Sequence, residues 1–140
     1  MAAAGHRTGL AGSVAAVRDW LGAGHRETVH RLGRAAARGD LAGMRALMSE
    51  DVAVVVDAGD DQAPTIRVVR GPDDASLLLA YGFAPEDVSV RERPVNGRPG
   101  LMLTRTGSPL AAIAVDLSGA LVSMVWVRLN PAPLRHWQTV

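Results

Sequence analysis

The segment "VVVDAGDDQAP" (54–64) is a candidate site for chemistry, because a run of valines leads straight into three aspartates. Asp57, Asp60 and Asp61 offer carboxylate oxygens, which are the ligands that hard cations prefer. Their spacing lacks the glycine and glutamate positions of a calcium-binding EF-hand loop, so we expect no metal site here. Asp and Gly favour turns, which accounts for Asp60 and Asp61. Asp57 ends the valine strand and can face a cavity, so it is a candidate catalytic and ligand-binding residue.

A second candidate acid or base is Asp116, which follows the apolar run "AAIAV" and precedes a Ser-Gly turn. It either caps that turn or acts as a catalytic carboxylate on a cavity face. Arg105 is a candidate partner for this carboxylate and a candidate ligand-binding residue. The four histidines lie in no recognisable catalytic or metal-binding motif. We therefore predict neither a metal nor a cofactor.

Aromatic residues make up only 4% of the chain, so each one is conspicuous. Tyr81 and Phe83 follow an apolar run and either pack in the core or line a pocket. Trp126 forms an apolar stripe with Met102 and Met124, which is either a core or dimer surface or a wall that stacks on a ligand. The three aromatic residues are therefore candidate ligand-binding residues.

These candidates depend on a helical first half and a strand-rich second half for their positions. Apolar residues recur at helical spacing over 25–38, and Gly39 and Asp40 then supply a helix stop and a new N-cap. "LAGMRALMS" continues as a second helix. Strands are predicted at 51–56 and 65–71, and "GPDDASLLLAYGF" predicts a third helix. An antiparallel meander of four strands follows, formed by "DVSVRERPV", "GLMLTR", "PLAAIAVDL" and "ALVSMVWVRL".

This order predicts an α+β fold in which three N-terminal helices pack on a curved, mostly antiparallel sheet. Hairpin register places Leu103 opposite Ala112. Asp116 and Arg105 then share a face with Leu103, and Trp126 lies on the other face. Both faces are apolar in their middle. We therefore predict that the second face is covered by a homodimer partner, sheet against sheet, or is used by a ligand.

Size and composition fit one domain of 140 residues that is 48% hydrophobic. The net charge is +1 and is spread along the chain, so no nucleic-acid-binding surface is predicted. Because the chain has no cysteine and no apolar run long enough to cross a membrane, we expect a cytoplasmic protein with no membrane contact. Residues 1–23 are predicted to be a flexible or loosely helical lead, and 24–140 to be the domain.

Several segments between about Thr28 and Leu134 resemble a known family when taken in order. They are "AAARGDLAGMRALMSEDVAVVVDAG", "VVRGPDDASLLL", "VNGRPGLML", "IAVDLSGALVSMVWV" and "LNPAPL". Together they resemble the SnoaL-like branch of the nuclear transport factor 2-like superfamily. The narrower resemblance is to the C-terminal SnoaL-like domain of actinobacterial extracytoplasmic-function sigma factors. The loop "DAGDD" is poorer in glycine than the loop of that family, and Ala132 and Pro133 stand where Asp-Lys is usual.

The resemblance implies a cone-shaped α+β barrel, often dimeric, whose cavity serves catalysis, ligand sensing or regulation. Too few residues precede Thr28 for a promoter-binding region, so we expect no direct role in transcription initiation. The first hypothesis is a non-enzymatic, regulatory domain that binds a small apolar molecule or a protein partner. The second is a cofactor-independent SnoaL-type cyclase, isomerase or hydrolase for a hydrophobic substrate, with Asp57 or Asp116 as acid or base inside the cavity. The lack of a convincing acid–base pair favours the first.

Overall fold

The structure, a computed structural model, describes residues 9–59 and 65–129, with side chains from residue 22 onward. The helices are Gly9–Ala37 (α1), Leu41–Ala46 (α2) and Pro72–Phe83 (α3). The strands are Met48–Asp57 (β1), Ile66–Arg70 (β2), Val88–Val95 (β3), Arg98–Arg105 (β4), Ser108–Ser118 (β5) and Leu121–Leu129 (β6). None of the helices in these residues has both the length and the apolar character needed to cross a membrane.

The corner between α1 and α2 forms where the sequence predicts it. Gly39 has a φ angle of 67°, a left-handed conformation that glycine adopts without steric cost. Asp40 then caps α2, because its Oδ1 accepts a hydrogen bond of 2.9 Å from the backbone N–H of Gly43. α1 itself is longer than the predicted helix over 25–38. The domain boundary predicted after residue 23 lies within α1 and stays a prediction.

The six strands form one curved, mixed sheet in the order β2-β1-β6-β5-β4-β3. Neighbouring strands are antiparallel except β1 and β6, which pair in parallel. The α+β prediction is confirmed. Two of the three helices precede β1, whereas α3 lies between β2 and β3 in the chain.

Two β-bulges change the predicted register. The β4–β5 turn closes with Arg105 opposite Ser108, and Leu110 is then an extra residue in β5, so Leu103 pairs with Ala111 and not with Ala112. Ser123 is likewise an extra residue in β6, between the partners of Asp116 and Leu117. Because a bulge moves the following side chains to the other face, the predicted assignment of Asp116 to the face of Leu103 is wrong.

The hydrophobic core lies between the helices and one side of the sheet, which we call the inner face. Val29 and Leu32 of α1 and Met44 of α2 are fully buried there. α3 adds Leu79 and Phe83 to the same cluster. The sheet contributes Leu101, Leu103, Ala111, Ile113, Val115, Val122 and Val125. The side of the sheet away from the helices is the outer face.

Candidate functional site

An apolar cavity of about 300 Å³ lies between α3 and the inner face of the sheet. From α3 it is lined by Leu78, Leu79, Tyr81, Gly82 and Phe83. From the sheet it is lined by Val56, Arg67, Val69, Leu103, Leu110, Ala111, Ile113, Val127 and Leu129. Cavities of this size and character bind small molecules in many proteins.

One wall of the cavity is a continuous row of residues across four strands. Ile113, Val127, Val56 and Arg67 are successive Cα partners on β5, β6, β1 and β2. Because side chains alternate along a strand, the partners in such a row point to the same face. The side chains of Ile113, Val127 and Val56 are apolar, whereas Arg67 carries a guanidinium. The row therefore runs from the core to a charged edge of the sheet.

A groove next to the cavity shares three lining residues with it, namely Tyr81, Gly82 and Leu110. Tyr81 is 80% exposed, so it stands at the junction of the cavity with solvent. Arg105 also lines this groove, and its Nε donates a hydrogen bond of 2.8 Å to Oδ2 of Asp87. That hydrogen bond, helped by the arginine charge, holds the pKa of Asp87 below its ordinary value of 3.8. Asp87 in turn raises the pKa of Arg105.

The outer face carries a second, more polar groove of about 560 Å³. Asp116 lies there, where Trp126 donates a hydrogen bond of 3.0 Å from Nε1 to its Oδ2 and Arg98 forms an ion pair with its Oδ1. Asp57 and Arg128, which are Cα partners on β1 and β6, line the same groove. Its floor includes the small residues Ala112 and Ala114.

Two histidines tie α1 to the sheet outside the cavity. Nε2 of His25 lies 2.7 Å from the carbonyl oxygen of Val115 on β5, within hydrogen-bond distance. His30 contacts the carboxylate of Glu92 on β3. Among the residues that the structure describes, no cluster of three or more His, Asp and Glu side chains can hold a metal ion.

Solved structures share this architecture over most of the chain. A protein with a cystatin-like fold from Silicibacter pomeroyi is 20% identical, with a TM-score of 0.58 over 83% of this chain and 85% of that one. A nuclear transport factor 2-like protein of unknown function from Cytophaga hutchinsonii is 11% identical, with a TM-score of 0.55 over 79% and 94%. The chain has the nuclear transport factor 2-like fold. The resemblance predicted from the sequence is thus confirmed at the level of the fold.

A third structural match is the extracytoplasmic function sigma factor SigJ of Mycobacterium tuberculosis. It is 25% identical with a TM-score of 0.58, and the match covers 88% of this chain. The chain spans about half of that protein, since the match covers 48% of it. No protein-family model matches the chain, and no curated protein does either.

The nuclear transport factor 2-like fold separates the predicted site residues into three places. Tyr81 and Phe83 line the apolar cavity. Arg105 lines the adjoining groove and pairs with Asp87, not with Asp116. The remaining candidates, Asp57, Asp116 and Trp126, line the groove on the outer face. The turn residues Asp60 and Asp61 lie outside the described residues.

Two arginines that sequence reasoning did not select have notable positions in this fold. Arg67 lines the cavity, and Arg98 pairs with Asp116 on the outer face. Alternation in "IRVVR" separates Arg67 and Val69 from Ile66 and Val68, but it does not reveal which pair faces inward. That distinction requires the pairing of β2 with β1, a contact that only the folded chain reveals.

Proposed function

We propose that this nuclear transport factor 2-like domain binds a small, largely apolar molecule in the cavity between α3 and the sheet. The observation that carries the proposal is the chemistry of the cavity lining. Among the described residues, the lining contains no carboxylate and no histidine, and Arg67 and Tyr81 provide its polar side-chain groups. Excluding water from an apolar lining favours ligand binding. A lining without a carboxylate or histidine also lacks the side chains that most often transfer protons in catalysis.

The enzyme alternative requires a carboxylate inside the cavity and within about 3 Å of a second reacting group. Asp57 and Asp116 line the outer groove instead, on the other side of the sheet. Asp116 is further engaged by Arg98 and Trp126. These positions favour binding over acid–base catalysis by the two predicted carboxylates.

A regulatory role is the second part of the proposal. The 25% identity to the sigma factor SigJ, over 88% of this chain and 48% of that protein, supports a relation to a domain attached to a transcription factor. A ligand-binding domain of this kind acts by changing its affinity for a partner when the cavity fills. A cytoplasmic location, suggested by the lack of cysteine, belongs to the same proposal.

We further propose that the outer face is the contact surface of a homodimer. Val68, Val55, Trp126 and Ala114 form a row of Cα partners across that face. Val68 and Trp126 are substantially exposed, and exposed apolar rows of this kind mark interaction surfaces. A second copy offers an identical surface, which a two-fold symmetric contact can bury.

Native mass spectrometry of the purified protein tests the proposed function. We expect a retained small molecule, lost on denaturation, and a mass corresponding to two copies of the chain. A protein that carries no added mass, and that also fails to take up apolar molecules such as octan-1-ol when they are supplied, would contradict the binding proposal. A mass corresponding to one copy of the chain would contradict only the homodimer proposal.

A further inference from the structure

Arg67 is placed to give the cavity a preference for one class of ligand. It ends the inward-facing row that Ile113, Val127 and Val56 begin, so its side chain lies at the rim of an otherwise apolar wall. A guanidinium is the side chain best suited to bind a carboxylate, because its planar fork of N–H groups matches the two carboxylate oxygens.

Of the arginines that line the two grooves, Arg105 and Arg98 have carboxylate partners, and Arg128 has no ion pair with a carboxylate that the structure describes. Arg105 is held by Asp87 and Arg98 by Asp116. Arg67, in the cavity, also forms no ion pair with any carboxylate that the structure describes. Its donors are therefore available, within the described part of the chain, to an anion that enters the cavity.

A charge on an edge strand such as β2 also discourages pairing with other sheets. Arg70 meets that need from the other face of the same strand, since it lies at even spacing from Ile66 and at odd spacing from Arg67. Preventing the edge strand from pairing with other sheets does not require a second arginine that points at the cavity. The position of Arg67 in the cavity lining thus calls for a further explanation.

We propose that the cavity takes an amphiphilic monocarboxylic acid, with its hydrocarbon body against the apolar lining and its carboxylate on Arg67. This inference rests on the proposed binding function and names the ligand class. One cation among the described lining residues matches one negative charge, so a monoanion fits better than a phosphate dianion. A volume of about 300 Å³, filled at protein density, holds a body of roughly ten carbon atoms.

Binding of sodium octanoate and octan-1-ol, measured by isothermal titration calorimetry at neutral pH, tests the assignment. The two probes share a chain and differ in the head group, and octanoate is ionised at this pH. In the Arg67→Leu variant we expect octanoate affinity to fall by about tenfold or more, because a charge-assisted hydrogen bond is lost. Octan-1-ol affinity should stay nearly unchanged, and Arg67→Lys should retain part of the octanoate affinity.

Arg70→Leu is the matched control, since it removes the same charge from the same strand but from the outer face. It should leave octanoate affinity nearly unchanged. If Arg67→Leu and Arg70→Leu lost octanoate affinity equally, the effect would depend only on the overall charge of the protein. That result would overturn the proposal. The proposal would also be overturned if the protein bound octanoate only after Asp60→Asn and Asp61→Asn had been introduced together. Arg67 would then be a partner of those aspartates and not of the ligand.

The outcomes also separate this inference from the proposed function. If octan-1-ol binds and Arg67→Leu leaves octanoate unaffected, the carboxylate assignment fails while the apolar site stands. If neither probe binds to the folded wild-type protein, the binding function itself fails, and the ligand class fails with it.

Discussion

The indole Nε1 of Trp126 donates a hydrogen bond of 3.0 Å to Oδ2 of Asp116, between the neighbouring strands β6 and β5. This contact lies on the outer face, with Arg98 on the other carboxylate oxygen. Two residues that the sequence suggests for a ligand site are therefore joined to each other, on the side of the sheet away from the apolar cavity. The proposed roles of the two faces rest on this separation, and each can be tested.

Removing the charge of the outer-face carboxylates should not affect ligand binding. We expect Asp116→Asn and Asp57→Asn to bind octan-1-ol with nearly wild-type affinity, measured by calorimetry, because neither residue lines the cavity. Asp116→Asn should lower the free energy of unfolding by no more than about 1 kcal/mol, since Arg98 and Asp116 are both partly exposed. A large loss of affinity in either variant would instead support a carboxylate at the ligand site.

Filling the cavity should abolish binding without unfolding the protein. Ala111→Leu adds apolar atoms at a buried position that lines the cavity, and we expect octan-1-ol affinity to fall by at least about tenfold. Ala112→Leu is the matched control, because the neighbouring alanine lines the outer groove. Thermal unfolding should show that both variants fold. Equal affinities in the two variants would contradict the assignment of the cavity.

The pair Arg105–Asp87 should make a pH-dependent contribution to stability. Arg105 lowers the pKa of Asp87 in the folded protein, so the unfolded chain binds the proton more readily. The stabilisation is then present above the ordinary pKa of Asp87 and is lost as the pH falls through the lowered value. In urea unfolding, Arg105→Gln should be less stable than wild type at about pH 6, and this difference should shrink as the pH falls below 3.8 toward about pH 2. A difference that persists unchanged at the lower pH would contradict this account.

A charge at the centre of the outer face should dissociate the proposed homodimer. Ala114 lies beside Trp126 in the apolar row, so we expect Ala114→Arg to sediment as a folded monomer in analytical ultracentrifugation while the wild type sediments as a dimer. Leu77→Arg is the control, because Leu77 is exposed on α3, away from the sheet. A wild-type monomer, or an Ala114→Arg dimer, would show that the outer face is not the contact.

Much of the fold could be predicted because its signals are local. Gly39 and Asp40 mark a helix–helix corner, and the Asn96-Gly97 pair, with φ angles of 53° and 77°, makes the hairpin that its sequence predicts. The two bulges have no such signal, because Leu110 and Ser123 are ordinary strand residues until their partners are known. The bulge at Leu110 is the reason why the predicted face of Asp116 is wrong.

The site was less predictable than the fold, because it depends on pairing between distant strands. Tyr81 and Phe83 could be selected as rare aromatics after an apolar helix, and both line the cavity. Arg67 could not be selected, because its inward direction follows from the pairing of β2 with β1. The parallel pairing of β1 with β6, which brings Val56 beside Val127, likewise has no local sequence signal.

The most direct test of the cavity uses the only two isoleucines of the chain. Ile113 is 1% exposed and lines the cavity, whereas Ile66 is 62% exposed and lies on the outer face beside its Cα partner Asp57. In a protein labelled at the isoleucine δ1-methyl groups, a ¹H–¹³C spectrum should therefore report each face by one signal. On titration with octan-1-ol we predict that the Ile113 signal shifts and the Ile66 signal stays in place. A shift confined to Ile66, or no shift of either signal, would contradict the account.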